Sequence, residues 1–190
     1  MNTFIYMIRH GESPKTGEDE RGRGLTEKGR ADASTVTRLL KGEGIGHFFS
    51  SPYTRAILTI RELAEQAGQE IMVKEELREL VFSGEKRVLS DMEMYPSIKR
   101  MFSEPGFSLP GGETAAECQN RSVGVVKQIL ETYRGQRVAI GTHGMVMTLT
   151  MGYFDSRFGL EFLIGISRPD VYRLEFDGER LVEVRRLWEA

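Results

Sequence analysis

Three places in the 190-residue chain put a residue able to attack or grip phosphorus directly after a short apolar run. Arg9-His10-Gly11-Glu12 follows the run from Thr3 to Ile8, Ser50-Ser51-Pro52-Tyr53-Thr54-Arg55 closes the run that starts at Ile45, and Thr142-His143-Gly144 closes the run that starts at Val138. Two histidines and two arginines so placed suit a phosphate. Guanidinium forks match its oxygens bidentately, and imidazole serves either as an in-line nucleophile or as a cationic donor. Singly, each residue has a plainer reading: a lone arginine after a strand is usually a surface ion pair, and a lone histidine is more often structural. The joint pattern carries the argument, because all three run ends bear such a residue beside Gly, Pro or Ser turn chemistry.

The surrounding elements explain how these residues meet. Thr3 to Ile8 has no helical period and reads as a buried strand. A Pro-, Gly- and charge-rich loop, Ser13 to Gly24, precedes a helix with Thr26 as N-cap running to about Lys41. Ile45 to Ser50 reads as a second strand, and Pro52 fits the first turn of a helix through about Gln66 that Gly68 closes, with Arg55 in its first turn. Ile71 to Val73 is a third strand. Residues 80 to 110 read as a cap-like insertion with one helix around Val88 to Phe102. Thr114 and Glu117 have capping-box spacing at the head of a helix, Val138 to Thr142 is a fourth strand, and Met145 to Tyr153 is the next helix. Val171 to Phe176 and Leu181 to Arg186 form a hairpin around Asp177-Gly178. This alternation predicts a single-domain, three-layer α/β/α sandwich over residues 1–190, its sheet mostly parallel with helices on both faces. In such sheets the ligand lies beyond the carboxyl ends of the strands, where the three motifs fall.

With those residues in place, the chain resembles the histidine phosphatase superfamily, the phosphoglycerate mutase-like proteins, whose opening signature is the tetrapeptide at Arg9 to Glu12. The likeness continues through Leu25-Thr26-Glu27-Lys28-Gly29, Ser50-Ser51-Pro52 to Arg55-Ala56, Leu77-Arg78-Glu79, Pro110-Gly111-Gly112-Glu113 and Thr142-His143-Gly144, in the family's order and approximate spacing. The resemblance implies that His10 becomes phosphorylated, that Arg9, Arg55 and His143 bind the phosphoryl oxygens, and that Glu79 is the proton donor. Without it Glu79 is one acid among Glu70, Glu75, Glu76 and Glu85. Glu12 and Glu113 are supporting candidates for substrate binding or for a purely structural role. The sequence departs from the family in two places. Thr16 stands where an Asn often touches phosphate, and Leu80 to Lys86 replaces a Gly and a Trp-Glu-Gly run.

Other chemistries find less support. Cys118 lies inside a helix, and Gly124, not arginine, stands six residues on, so no Cys-x5-Arg loop exists. Neither a Gly-x4-Gly-Lys loop nor a complete dinucleotide fingerprint is present, and three histidines without paired Cys or His spacing argue against a metal site. No cofactor is expected. A net charge of -2 with mixed signs disfavours nucleic acid, a single cysteine fits a reducing cytoplasm, and no apolar run approaches the ~20 residues of a membrane span. The expected partner is therefore a small phosphorylated metabolite. An apolar-edged C-terminal hairpin allows a homodimer, though an intrachain role suits it better. The reading is a phosphatase acting on a small phosphomonoester through phosphohistidine. Its rivals are a phosphoglycerate mutase, which must shield its intermediate from water, and a silent phosphate-binding regulatory module.

Overall fold

Thr3–Arg9 (β1) sends Ile5 and Met7 into one core and Tyr6 and Ile8 into another, as a strand covered on both faces must. A computed structural model of the chain describes residues 1–15, 19–84 and 91–189. It places β1 inside a six-stranded sheet with His47–Ser50 (β2), Ile71–Val73 (β3), Arg137–Thr142 (β4), Asp170–Asp177 (β5) and Arg180–Arg186 (β6), in the order β3-β2-β4-β1-β5-β6. The first four strands of that order run parallel, and β5, the near arm of the closing hairpin, is antiparallel to them.

Helices cover both faces. Glu27–Leu40 (α1) and Thr54–Gln66 (α2) bury Val36, Leu40, Ile60 and Leu63 against Tyr6, Ile8 and Phe48. On the other face Ala115–Thr132 (α4) and Gly144–Phe154 (α5) bury Val126, Ile129, Met147 and Met151 against Ile5, Met7 and Ile140. Asp91–Ser103 (α3) joins a third cluster in which Leu80 and Met101 pack on Cys118, Met145 and Leu149. That cluster ties the 80–110 segment to α4 and α5; residues 85–90, which include the start expected for its helix, lie outside the described residues.

The caps agree with the sequence. Thr26 Oγ1 accepts from Gly29 N–H at 3.0 Å, and Thr114 and Glu117 form a complete capping box. Gly68 takes φ +66° to end α2. Two expectations shift. α2 starts at Thr54, not at Pro52, because Ser51 Oγ accepts the Tyr53 N–H at 3.2 Å and forms its own turn over Pro52. A short helix, Leu160–Gly165 (α6), has no capping side chain and an apolar sequence without helical punctuation, so nothing announced it.

The loop after β1 is locked to α1 by two glycines. Thr26 N–H donates to the Glu12 carbonyl at 3.0 Å, and a Cβ on Gly29 would lie 2.2 Å from that same oxygen. A Cβ on Gly11 would meet the Gly29 carbonyl at 2.9 Å. Both obstacles are backbone and cannot rotate away. Gly29→Ala is therefore expected to cost about 1–3 kcal/mol, read as a lower urea midpoint, and to slow turnover by displacing the His10 loop. An unchanged midpoint would show that α1 can move aside without cost.

Candidate active site

β1, β2 and β4 end at one level, and their first residues beyond the sheet, His10, Ser51 and His143, come together. His10 N–H donates to the Thr142 carbonyl at 3.0 Å and Ser51 N–H to the Gly141 carbonyl at 2.9 Å, so the ladder runs one step past the strands. The His10 and His143 rings consequently meet edge to face, 5.1 Å between centroids. Both rings are buried.

The nitrogens of His10 are distinguished by their partners. Nδ1 lies 2.7 Å from the Gly11 carbonyl, which requires a proton on that nitrogen. Nε2 is left with its lone pair and accepts from Arg55 Nε at 3.3 Å. Burial, then the Arg55 charge, holds the imidazole well below its usual range, so it is neutral near pH 7. His143 is likewise held low by burial and by the neighbouring His10, Arg55 and Arg9. Its Nε2 sits 2.7 Å from Ser51 Oγ, an oxygen that also accepts from Tyr53 N–H and has its own hydrogen to donate. With Ser51 Oγ as the donor, the proton of the neutral ring lies on Nδ1, a buried atom with no partner among the described residues.

The arginines are fixed from different directions. Arg9 Nη1 donates to the carbonyls of Ile166 and Ser167 at 2.9 and 3.2 Å, while its buried Nε has no partner among the described residues. Burial, then the charge of Arg168, lowers Arg9 to about 10, which leaves it cationic. A Cβ on Gly144 would lie 2.9 Å from Arg9 Nη2, so the glycine after His143 is the space in which the guanidinium rests. Arg55 donates to the Glu20 carbonyl at 2.7 Å and to the Glu20 carboxylate at 3.2 Å, and its ring neighbour Tyr53 lies 4.8 Å away. Thr59, one turn along α2, accepts from Gly11 N–H at 3.0 Å and couples this helix to the His10 loop.

Glu79 reaches the cluster from outside the sheet. Its carboxylate accepts from Leu80 N–H at 2.8 Å and from Met145 and Val146 N–H at 3.3 Å each, so it caps α5, whose N-cap residue His143 supplies no side-chain bond. Burial pushes the carboxyl above its ordinary value against the opposing pull of these amides and of Arg55 and Arg9. The loop carrying it hangs on Arg121, which donates to the carbonyls of Arg78 and Glu79 at 2.8 and 3.4 Å and pairs with Glu113 at 2.6 and 2.8 Å.

Five of the residues singled out in the sequence, Arg9, His10, Arg55, Glu79 and His143, are thus brought together. Glu12 is exposed, and its carboxylate accepts from Thr26 Oγ1 at 2.8 Å, at the N-cap of α1. Glu113 is engaged by Arg121 and Arg78 behind the Glu79 loop. Thr16 lies outside the described residues. Sequence reasoning missed Ser51 as the partner of His143, Glu20 on Arg55, and Arg121. The first stood inside the Ser-Ser-Pro motif; the other two are long-range contacts without a local signal.

Comparison with known proteins identifies the family. The sequence profile described as Histidine phosphatase superfamily (branch 1) matches residues 5–188. A probable phosphoglycerate mutase GpmB of Cronobacter sakazakii is 28% identical over 151 residues, 75% of this chain and 70% of that protein. Phosphoserine phosphatase 1 of Hydrogenobacter thermophilus is 29% identical over 153 residues, 75% of this chain and 72% of its own. Among solved structures, Bacillus stearothermophilus YhfR superposes with a TM-score of 0.76 at 26% identity, covering 95% and 94% of the two chains. A mycobacterial glucosyl-3-phosphoglycerate phosphatase superposes with a TM-score of 0.77 at 18% identity, covering 98% and 97%, and shares the fold. With a profile match over nearly its whole length and the His-Arg-Arg-His cluster assembled, the chain belongs to the histidine phosphatase superfamily.

Proposed function

We propose that this protein is a phosphatase that hydrolyses a small phosphomonoester through a phosphohistidine on His10. One observation carries the reading. His10 Nδ1 is committed to the Gly11 carbonyl, so Nε2 presents a lone pair among the cations Arg9 and Arg55. A phosphoryl group there would draw on the free donors Arg9 Nε and His143 Nδ1 and on Arg55, which neutralise its oxygens as charge develops. Nε2 attacks phosphorus, the P–N bond forms as the P–O ester bond breaks, and protonated Glu79 delivers its proton to the leaving oxygen. Water then attacks phosphorus, Glu79 takes back a proton, and the P–N bond breaks to return neutral His10. The relative named phosphoserine phosphatase supports hydrolysis. The relative named a probable phosphoglycerate mutase keeps phosphoryl transfer between hydroxyls as the second reading.

The deciding experiment is phosphate release from a panel of phosphomonoesters, with chelator present, by the wild type and by His10→Ala. Release that disappears in a variant with an unchanged circular dichroism spectrum is the expected result. Comparable release from the variant would overturn the nucleophile, and isomerisation without release would favour the mutase.

Glu79→Gln is expected to lower kcat/KM about 100-fold for alkyl phosphates, whose alkoxides need a proton on leaving. On p-nitrophenyl phosphate, whose phenolate leaves unaided, the loss should stay below about 10-fold. Equal losses on both would assign the proton to another group.

Neutral buried histidines also make stability pH-dependent. His10 and His143 have folded values well below 6.5, so the stability they contribute is full above that value and falls as pH drops towards the folded values. The expected slope is at most about 1.4 kcal/mol per pH unit for each histidine. Urea unfolding between pH 7 and 5 should show it, and His143→Asn should flatten it.

A further inference from the structure

Tyr53 breaks two local rules beside the site. It is the N-cap of α2, where Ser, Thr, Asp or Asn ordinarily satisfies an orphan amide, yet its side chain makes no cap bond. It is also only 6% exposed, and its hydroxyl has no hydrogen bond to any described residue, although a buried phenol usually finds a partner. Neither capping nor hydrogen bonding accounts for a tyrosine here. The contacts of the ring remain. Arg55 Cζ lies over it at 4.8 Å, and the His143 ring meets it edge to face with 4.9 Å between centroids. The backbone of the same residue is anchored: its N–H donates to Ser51 Oγ at 3.2 Å, and its carbonyl accepts from Ala56 and Ile57 N–H at 2.9 and 3.2 Å. The ring is therefore a fixed wall against two members of the cluster.

Arg55 has use for such a wall. Its hydrogen bonds go to His10 Nε2 and to the carbonyl and carboxylate of Glu20, whose side chain is 62% exposed. A phosphoryl group on His10 consumes the lone pair that holds Arg55 Nε, and its oxygens compete with Glu20 for the rest of the guanidinium. The hydrogen bonds thus change hands during turnover. The aromatic face attracts the charge without offering an acceptor that phosphate would replace, so this contact persists while the others are exchanged.

We propose that Tyr53 is a positioning residue whose ring holds the Arg55 guanidinium in place for the phosphoryl group. This rests on the phosphomonoesterase reading above. Two variants separate the ring from the hydroxyl: Tyr53→Leu removes the aromatic face and Tyr53→Phe keeps it. On p-nitrophenyl phosphate the leucine variant should lose roughly 10- to 30-fold in kcat/KM, and the phenylalanine variant should recover most of that loss. A double-mutant cycle identifies the route. In an Arg55→Ala background Tyr53→Leu should cost less than about 3-fold, because the group it acts through is gone. A loss of the same size in that background, equal losses in the two Tyr53 variants, or no loss in Tyr53→Leu would overturn the assignment. Absence of turnover on every ester would instead sink the phosphatase reading. Calorimetric titration of the same proteins with inorganic phosphate would then still decide: a loss of affinity on Tyr53→Leu that requires Arg55 supports the positioning role, and a loss independent of Arg55, or none, refutes it.

Discussion

The parallel register of β1 against β4, with Arg9 beside Thr142, is the constraint on which the site depends. It sends His10 and His143 out of adjacent strands at the same height, and the pairing of Ser50 with Gly141 does the same for Ser51. Slipping β1 by one residue would move His10 about 3.3 Å along the strand and exchange its two core faces, putting Tyr6 where Met7 packs. With both faces buried, that slip is strongly opposed. Ordinary hydrophobic packing thereby sets the distance between the two buried histidines.

Electrostatics then works against packing, and the compromises are visible atom by atom. Two arginines and two imidazoles in a buried space repel one another, and the histidines respond by staying neutral. Glu79 experiences the reverse conflict: desolvation favours its acid form, while three backbone amides, two of them at the head of α5, and two guanidinium groups favour its anion. A group balanced in this way gives up and regains a proton at small cost, as the acid-then-base role proposed for it requires.

Most of the sheet and the clustered arginines and histidines could be read from the chain because their signals are local. Apolar runs ending in Arg9-His10, Ser50-Ser51 and Thr142-His143 encode both the strand and the polar residues at its exit, and the Thr114–Glu117 box fixes where α4 begins. Glu79 was different: apart from the family resemblance nothing separates it from the acids around it, and it is the amides of Met145 and Val146, distant in sequence, that hold its carboxylate at the head of α5. Glu12 shows the converse. Its position beside His10 suggested a part in the chemistry, yet a strand alternates direction and the loop after β1 turns its carboxylate towards Thr26.

The hold of Glu20 on Arg55 affects how the site meets any phosphate. The guanidinium is already occupied by a tethered carboxylate, so an entering phosphate exchanges one anion for another and gains only the difference between them. Such exchange weakens the retention of substrate and of inorganic phosphate alike. Glu20 balances the Arg55 charge from within the chain, so that the empty site carries one unpaired cation fewer.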